Sequence, residues 1–216
     1  MHPIFLMIGN IQSEVRMKAT AHAWRCVAFI PIPKFDVHPD FQSLLHARLF
    51  HKCMDIIFAN CKITTKTGAY MSDPMGYIRH CFTPLVAYTA DLPEAQLVAS
   101  VAKNASPLTL AMQKEFGASH THSPRTGDHT LALIYDLCKR VDPWNVPLFQ
   151  CEAKSLMLSG VHQPFWRDWK FADPCRILPA DMLHTCHKFF GDHVLKWCKE
   201  VVGEKELDAR FKAHHK

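Results

Sequence analysis

Two acids stand out for where they sit. Asp91 follows an apolar run (Phe82, Leu85, Val86, Ala87, Tyr88) and precedes Leu97, Val98 and Val101 at helical spacing. That order reads strand, acid, helix. An acid at the carboxyl end of a strand opens into the crevice where α/β proteins place catalytic carboxylates. The same residues spell D-x-x-E, close to a capping box, with Asp91 as N-cap. Caps are far commoner than active sites, so by residue pattern alone both readings stand. The second acid is Asp181, in ADMLHTCHKFFGDH. Asp181 and His184 are i,i+3 and share a helix face, with His187, Asp192 and His193 beyond. Acid and imidazole one turn apart can ligate one divalent metal, or the imidazole can orient the acid. The plainer alternative is Asp181 as a helix-start cap with His184 satisfied locally.

Two other clusters carry weaker signals. His120 and His122, with Asp128 and His129 nearby, have metal-ligand chemistry, but GASHTHSPRTG is a loop composition that seldom holds ligands rigidly. Phe165, Trp166, Trp169 and Phe171 crowd HQPFWRDWKFADP. They could stack on bases, although burial as a loop clamp is the commoner use.

The elements that must position these groups follow from periodicity. Residues 4–8 and 24–32 read as two strands joined by a basic connection, a hairpin with a long loop. His38-Pro39-Asp40 opens a long helix that fades before Gly68, with Phe41, Leu44, Leu45, Leu49, Met54, Ile57 and Phe58 as its apolar stripe. His46, Arg48, His51 and Lys52 read as its solvated face. Residues 72–76 form a turn, and 77–90 the strand before Asp91, with Pro84 implying an edge, a bulge or a late start. Helices are expected over 93–103, 106–116, 130–141 and 147–158, and one long helix over 179–202. The stretch 204–216 is charged.

The chain has 216 residues, enough for one domain or a domain with an appendage, and 48% are hydrophobic against 21% charged. A net charge of +5 is compatible with an anionic partner without singling one out. The nine cysteines are odd in number, irregularly spaced and lack any C-x-x-C pair. That excludes a zinc ribbon and argues against a disulfide framework. Reduced thiols, no signal-peptide pattern and no run of membrane-span length together predict an intracellular protein away from the membrane.

In the same order along nearly the whole chain, PIFLMIGNI, HAWRCVAFIPIPKF, HPDFQSLLHARLFHKCMDII, CFTPLVAYTADLPEAQLVASVAKNASP, VHQPFWRDWKFADP and ILPADMLHTCHKFFGDHVLKWCKEVVGEKELDARF resemble the core of Plavaka-type transposases. These are fungal DNA transposases of the Kyakuja–Dileera–Zisupton group, more distantly similar to CACTA-type enzymes. The resemblance implies an α/β, ribonuclease H-like core whose acids bind two divalent metals, normally Mg2+. Such metals activate the attacking oxygen and stabilise the leaving one in phosphodiester cleavage and strand transfer. On that basis Asp91 matches the second acid of a DDE triad, a metal ligand at the end of the fourth core strand. Asp181 and His184 match the family's acid-x-x-His motif, with His184 orienting or structural. DNA is the implied partner and the nucleus the implied site of action.

The departures from the family are as informative. Where relatives carry Cys-Pro-x-Cys to hold zinc, this chain reads Ser106-Pro107-Leu108-Thr109, which leaves no thiolate for a structural zinc. The family's first acid lies on a strand ahead of 4–8, and no third acid can be picked from Glu200, Glu204 and Glu206. The expectation is a partial ribonuclease H-like fold lacking its first strand, with exposed apolar edges and weak stability. Its parts are a core over 1–104, a helical insertion with loops over 105–178, and a C-terminal helix with a basic tail over 179–216. Two functions follow. One is a catalytically incomplete remnant of a metal-dependent transposase. The other is a non-catalytic nucleic-acid-binding or interaction protein using Arg16, Lys18 and Arg25. A self-contained metal hydrolase built on Asp181, His184 and His187 is the least favoured reading.

Overall fold

A computed structural model describes residues 1–179, 181 and 183–214, with backbone alone for 184 and 185. The architecture is mixed helix and strand. Strands β1 (His2–Leu6) and β2 (Arg25–Ile30) form one antiparallel hairpin, in register from His2↔Ile30 to Leu6↔Arg25, with an irregularity between Ile4 and Phe5. The long loop between them holds the single-turn helix α1 (Ser13–Arg16) and a 3-10 turn at Ala19–Ala21. Strand alternation sets what the hairpin buries. Ile4 and Ile30 face the core, while Phe5 and Phe29 stay exposed.

Helix α2 (Pro39–Ile57) starts with proline at its first position, after His38, whose Nδ1 accepts the Asp40 N–H. A break at Phe58 separates it from α3 (Ala59–Thr67), so the single long helix expected here is two. Gly68 ends α3 at φ 73°, where a Cβ would lie 2.1 Å from the His80 ring. The buried stripe of α2 is Leu44, Ala47, Arg48, His51 and Met54. The solvated face expected for His46, Arg48, His51 and Lys52 therefore needs correction. Lys52 is exposed, but Arg48 and His51 point inward, because the fold supplies partners for both.

Strands β3 (Ala69–Ser72) and β4 (Ile78–Cys81) make a second two-stranded hairpin around the turn at 73–77. The strand expected over 77–90 is thus confined to four residues, and it pairs with β3. Residues 82–90 are extended but join no ladder among the described residues. They are held instead by Thr65 Oγ1 donating to the Thr83 carbonyl and by the Tyr88 N–H donating to the Ile177 carbonyl at 2.8 Å. Helix α4 (Leu92–Ala99) follows at once.

The helix expected over 106–116 is also corrected. Ser106 Oγ accepts the N–H groups of Leu108 and Thr109, and Arg125 Nε donates to the carbonyls of Ser106 and Thr109. Such hydroxyl-to-backbone bonds compete with helix, and one 3-10 turn at Gln113–Glu115 remains. Helices α5 (Gly127–Arg140) and α6 (Val146–Ser155) pack against each other through Ile134, Leu137, Phe149 and Ala153.

The main core joins α2 and α4 to the aromatic segment and to α7 (Pro174–Ile177). Phe165, Trp166 and Trp169 are buried in it, as the clamp reading anticipates, and both indoles find acceptors. Trp166 Nε1 donates to the Val98 carbonyl at 2.6 Å and Trp169 Nε1 to Thr65 Oγ1 at 2.9 Å. Phe171 departs from that reading: it is exposed, at φ 70°. Beyond α7, the helix expected over 179–202 is divided. Its first part is wound as π-helix over Leu183–Lys188 and Phe190–Val194, and α8 (Leu195–Val202) and α9 (Glu204–His214) complete the chain. None of the nine cysteines is paired, and no helix among the described residues is long and apolar enough to cross a membrane.

Candidate functional site

Asp91 sits where the extended segment turns into α4, and it is exposed. Its Oδ1 accepts the Glu94 N–H at 2.9 Å, so it is the N-cap of that helix. The reciprocal arm of a capping box is missing. Glu94 turns away to accept the Tyr88 hydroxyl proton at 2.6 Å. Burial, reinforced by that carboxylate, pushes the Tyr88 phenol far above its ordinary range. Tyr88 is therefore a fixed donor that ties the first turn of α4 to the segment leading into it.

Asp181 is half-buried, and its Oδ1 accepts the Leu183 N–H at 3.0 Å at the entry to the π-wound turn. The side chain of His184 lies outside the described residues. What links the two acid-bearing regions is backbone. Tyr88, three residues before Asp91, bonds to Ile177, four residues before Asp181, and α4 packs against α7. The segments carrying Asp91 and Asp181 thus run together at that point.

The divalent metal that the family resemblance implies needs oxygen ligands converging on one point. Among the described residues no group of three or more His, Cys, Asp or Glu side chains converges that way. Asp91 therefore belongs to no such group, so the described residues do not by themselves fit a two-metal site, and no catalytic step is assigned through one. His120 and His122 have ring centroids 4.6 Å apart but gain no third ligand among the described residues. Where thiolates would stand in relatives, Ser106 and Thr109 close the turn held by Arg125.

The three basic residues lie on one stretch of the first hairpin. Arg16 ends α1, Lys18 precedes the 3-10 turn, and Arg25 opens β2 opposite Leu6. All three therefore belong to the loop end of the first hairpin, with Lys18 and Arg25 exposed.

A partly buried ionic cluster stands outside the residues that the sequence singles out. Lys62, 8% exposed at its side chain, donates to Asp55 and to Asp168, and Arg167 reaches the other oxygen of Asp55 at 2.7 Å. Burial works against the Asp168 carboxylate, but Lys62 and Arg167 outweigh it and hold its pKa below the ordinary value. His51 is a second omission. It is fully buried, its Nδ1 accepts the Phe165 N–H at 3.1 Å, and its Nε2 donates to the Leu97 carbonyl at 2.9 Å. One nitrogen accepting and one donating defines a neutral ring, and burial lowers its pKa to about 4. The signal was spacing: positions 44, 48, 51, 55, 58 and 62 step by three and four along one helical face.

Beside the cluster lies a cleft of about 550 Å3 lined by Lys66, Arg167 and Lys170 and by Asp128, Asp168 and Asp173. Its three cations and three acids balance, so it shows no electrostatic bias toward a polyanion.

Against known proteins, the family model described as Plavaka transposase matches residues 1–198. No curated protein and no solved structure matches the chain.

Proposed function

The chain belongs to the Plavaka transposase family, and from that premise we propose that it is a transposase-derived protein, the remnant of an enzyme that cut and joined DNA strands with divalent metals. In this reading Asp91 and Asp181 descend from the acidic site, with Asp91 the side turned toward Mg2+ in the ancestral reaction, and His184 orients Asp181. The observation that carries it is the Tyr88-to-Ile177 backbone bond, which draws the two acid-bearing segments alongside one another. The order of extended segment, Asp91 and α4 supports a ribonuclease H-like ancestry, of which this chain keeps a part. We take the remnant to be catalytically incomplete, because no three His, Cys, Asp or Glu side chains converge on a metal position among the described residues. If it acts, it acts on DNA in the nucleus.

A non-catalytic nucleic-acid-binding protein is the second reading. It is favoured by Arg16, Lys18 and Arg25, which all lie in the loop of the first hairpin or at its edge. One pair of measurements tells surviving strand cleavage from binding alone. Supercoiled DNA is incubated with the chain and Mg2+ or Mn2+, beside an Asp91→Asn variant. Asparagine caps a helix about as well as aspartate, so this change removes the charge and leaves the cap. Nicking by the wild type that Asp91→Asn abolishes marks a surviving enzyme and overturns incompleteness. Salt-sensitive DNA binding without nicking, weakened when Arg16, Lys18 and Arg25 become alanine, supports the binding protein. Neither nicking nor binding sinks both.

A further inference from the structure

A second pocket, of about 300 Å3, lies between α2 and the segments flanking α6. Arg48, Lys52 and Asp55 from α2 line it together with Trp144 and His162. Its acid is already spent: Asp55 gives one oxygen to Lys62 and the other to Arg167. Its main cation is not compensated. Arg48 is 9% exposed and has no carboxylate partner among the described residues. Its Nε donates to the Gly160 carbonyl at 3.1 Å and its Nη1 to the Pro143 carbonyl at 2.8 Å, while Nη2 is buried with no partner. The guanidinium lies over the rings of Phe149 and Trp144, 5.3 and 5.7 Å from their centroids.

Carbonyls and ring faces solvate such a cation only in part, and guanidinium does not give up its proton in a protein. A charge kept in a low-dielectric wall attracts an anion more strongly than it would in water. Lys52, one turn along α2, is exposed and makes no ion pair among the described residues. On the opposite wall His162 Nδ1 is buried without a partner. Burial, then Arg48 and Arg167, push the His162 pKa down to about 4 against the opposing pull of Asp142, so the ring is neutral and keeps an N–H to donate. Asp142 is itself engaged, accepting the Trp144 N–H at 3.0 Å.

We propose that this pocket binds a phosphate group, with Lys52 and His162 on opposite walls and Arg48 supplying positive charge from the floor. A tetrahedral oxyanion can offer separate oxygens to two walls, which a planar carboxylate does less well. The volume leaves room for the sugar that carries the phosphate, and Trp144, 71% exposed, offers it an apolar ring. The phosphate could belong to a free nucleotide or to a nucleic-acid backbone. Asp91 and Asp181 take no part, so this site and the strand-cleaving ancestry stand or fall separately.

The test uses the full chain at constant ionic strength. Inorganic phosphate, thymidine monophosphate and a short single-stranded oligonucleotide are titrated in turn, following the thermal midpoint and tryptophan fluorescence. A ligand that binds only the folded state raises the midpoint in proportion to the logarithm of its concentration. The expected result is a rise in the wild type and binding weakened about ten-fold or more in Lys52→Met, the size of one lost charge-assisted bond. Lys52 is exposed, so circular dichroism should find that variant folded; Lys52→Glu is the stronger version of the same test. A rise with the oligonucleotide alone assigns the site to a nucleic-acid backbone, and a rise with the small ligands assigns it to free phosphates. No rise with any of the three at about 10 mM, or equal binding by wild type and Lys52→Met, overturns the proposal.

Discussion

The body around His51 and the periphery of hairpins and C-terminal helices are made of similar residues put to different use. In the body, α2, α4 and the 162–173 segment bury three large aromatics and give partners to both indoles and to both nitrogens of His51. In the periphery, Phe5, Phe29, Tyr70, Ile78, Trp197 and Val201 lie exposed on two-stranded hairpins and on α8. A two-stranded hairpin has no second layer to cover its outer face, and α8 buries none of its residues. The contrast teaches that apolar content alone does not make a core. Aromatic residues stabilise this chain where they are enclosed and their polar atoms find acceptors, as the two indoles do in the Val98 carbonyl and the Thr65 hydroxyl.

The largest effect is therefore expected at Phe165. It is fully buried between His51 and Tyr88, and its own N–H is the donor to His51. Phe165→Ala should cost about 3–5 kcal/mol, as for other large-to-small changes in closed cores. Urea or thermal unfolding measures it. A loss no greater than that of a surface substitution would show that the body is not closed there and would erase the contrast.

How far this contrast could be read in advance differs from residue to residue. The hairpin of β1 and β2, the starts of α2 and α4, and Asp91 as an N-cap are all local, and local chemistry announces them. Glu94 bonding to Tyr88 instead of completing the capping box was not announced, because it depends on where the extended segment lies. The run over 82–90 looks like a strand by composition, but a strand needs a neighbour, and its neighbour here is one carbonyl of Ile177. Arg48 and His51 read as surface residues because they are polar. Their spacing from Leu44 places them on the buried stripe all the same. Of the candidate site, the two acids were visible, whereas Lys62 bridging Asp55 to Asp168 spans too much sequence for any pattern to show.

The second expected effect sharpens the comparison through pH. The His51 pKa is lowered from 6.5 to about 4 on folding. Above pH 6.5 the ring is neutral in both states, and its full contribution is present. Between pH 6.5 and 4 the unfolded chain takes up a proton that the folded body refuses, so stability falls as pH falls. The drop across that window should be about 3 kcal/mol from His51 alone, with a further contribution of the same sign from His162. Denaturant midpoints at pH 7, 6, 5 and 4 trace it. His51→Gln lowers stability at pH 7 but flattens the slope, which separates the proton effect from packing. An unchanged slope in that variant would mean that another group drives the acid transition.

The smallest effect belongs to the periphery. Val201 is 84% exposed on α8. Burial is what makes a valine worth its hydrophobicity, so Val201→Ser removes little from the folded state. Serine is close to valine in helix propensity, which leaves the helix itself almost unaffected. The expected change is within about 0.5 kcal/mol in either direction, measured by the same unfolding experiment at low protein concentration. Repeating it at high concentration gives the measurement a second use. If the wild type gains stability with concentration and Val201→Ser does not, the exposed face of α8 is buried against another copy, and the division between covered body and bare periphery holds for the isolated chain alone.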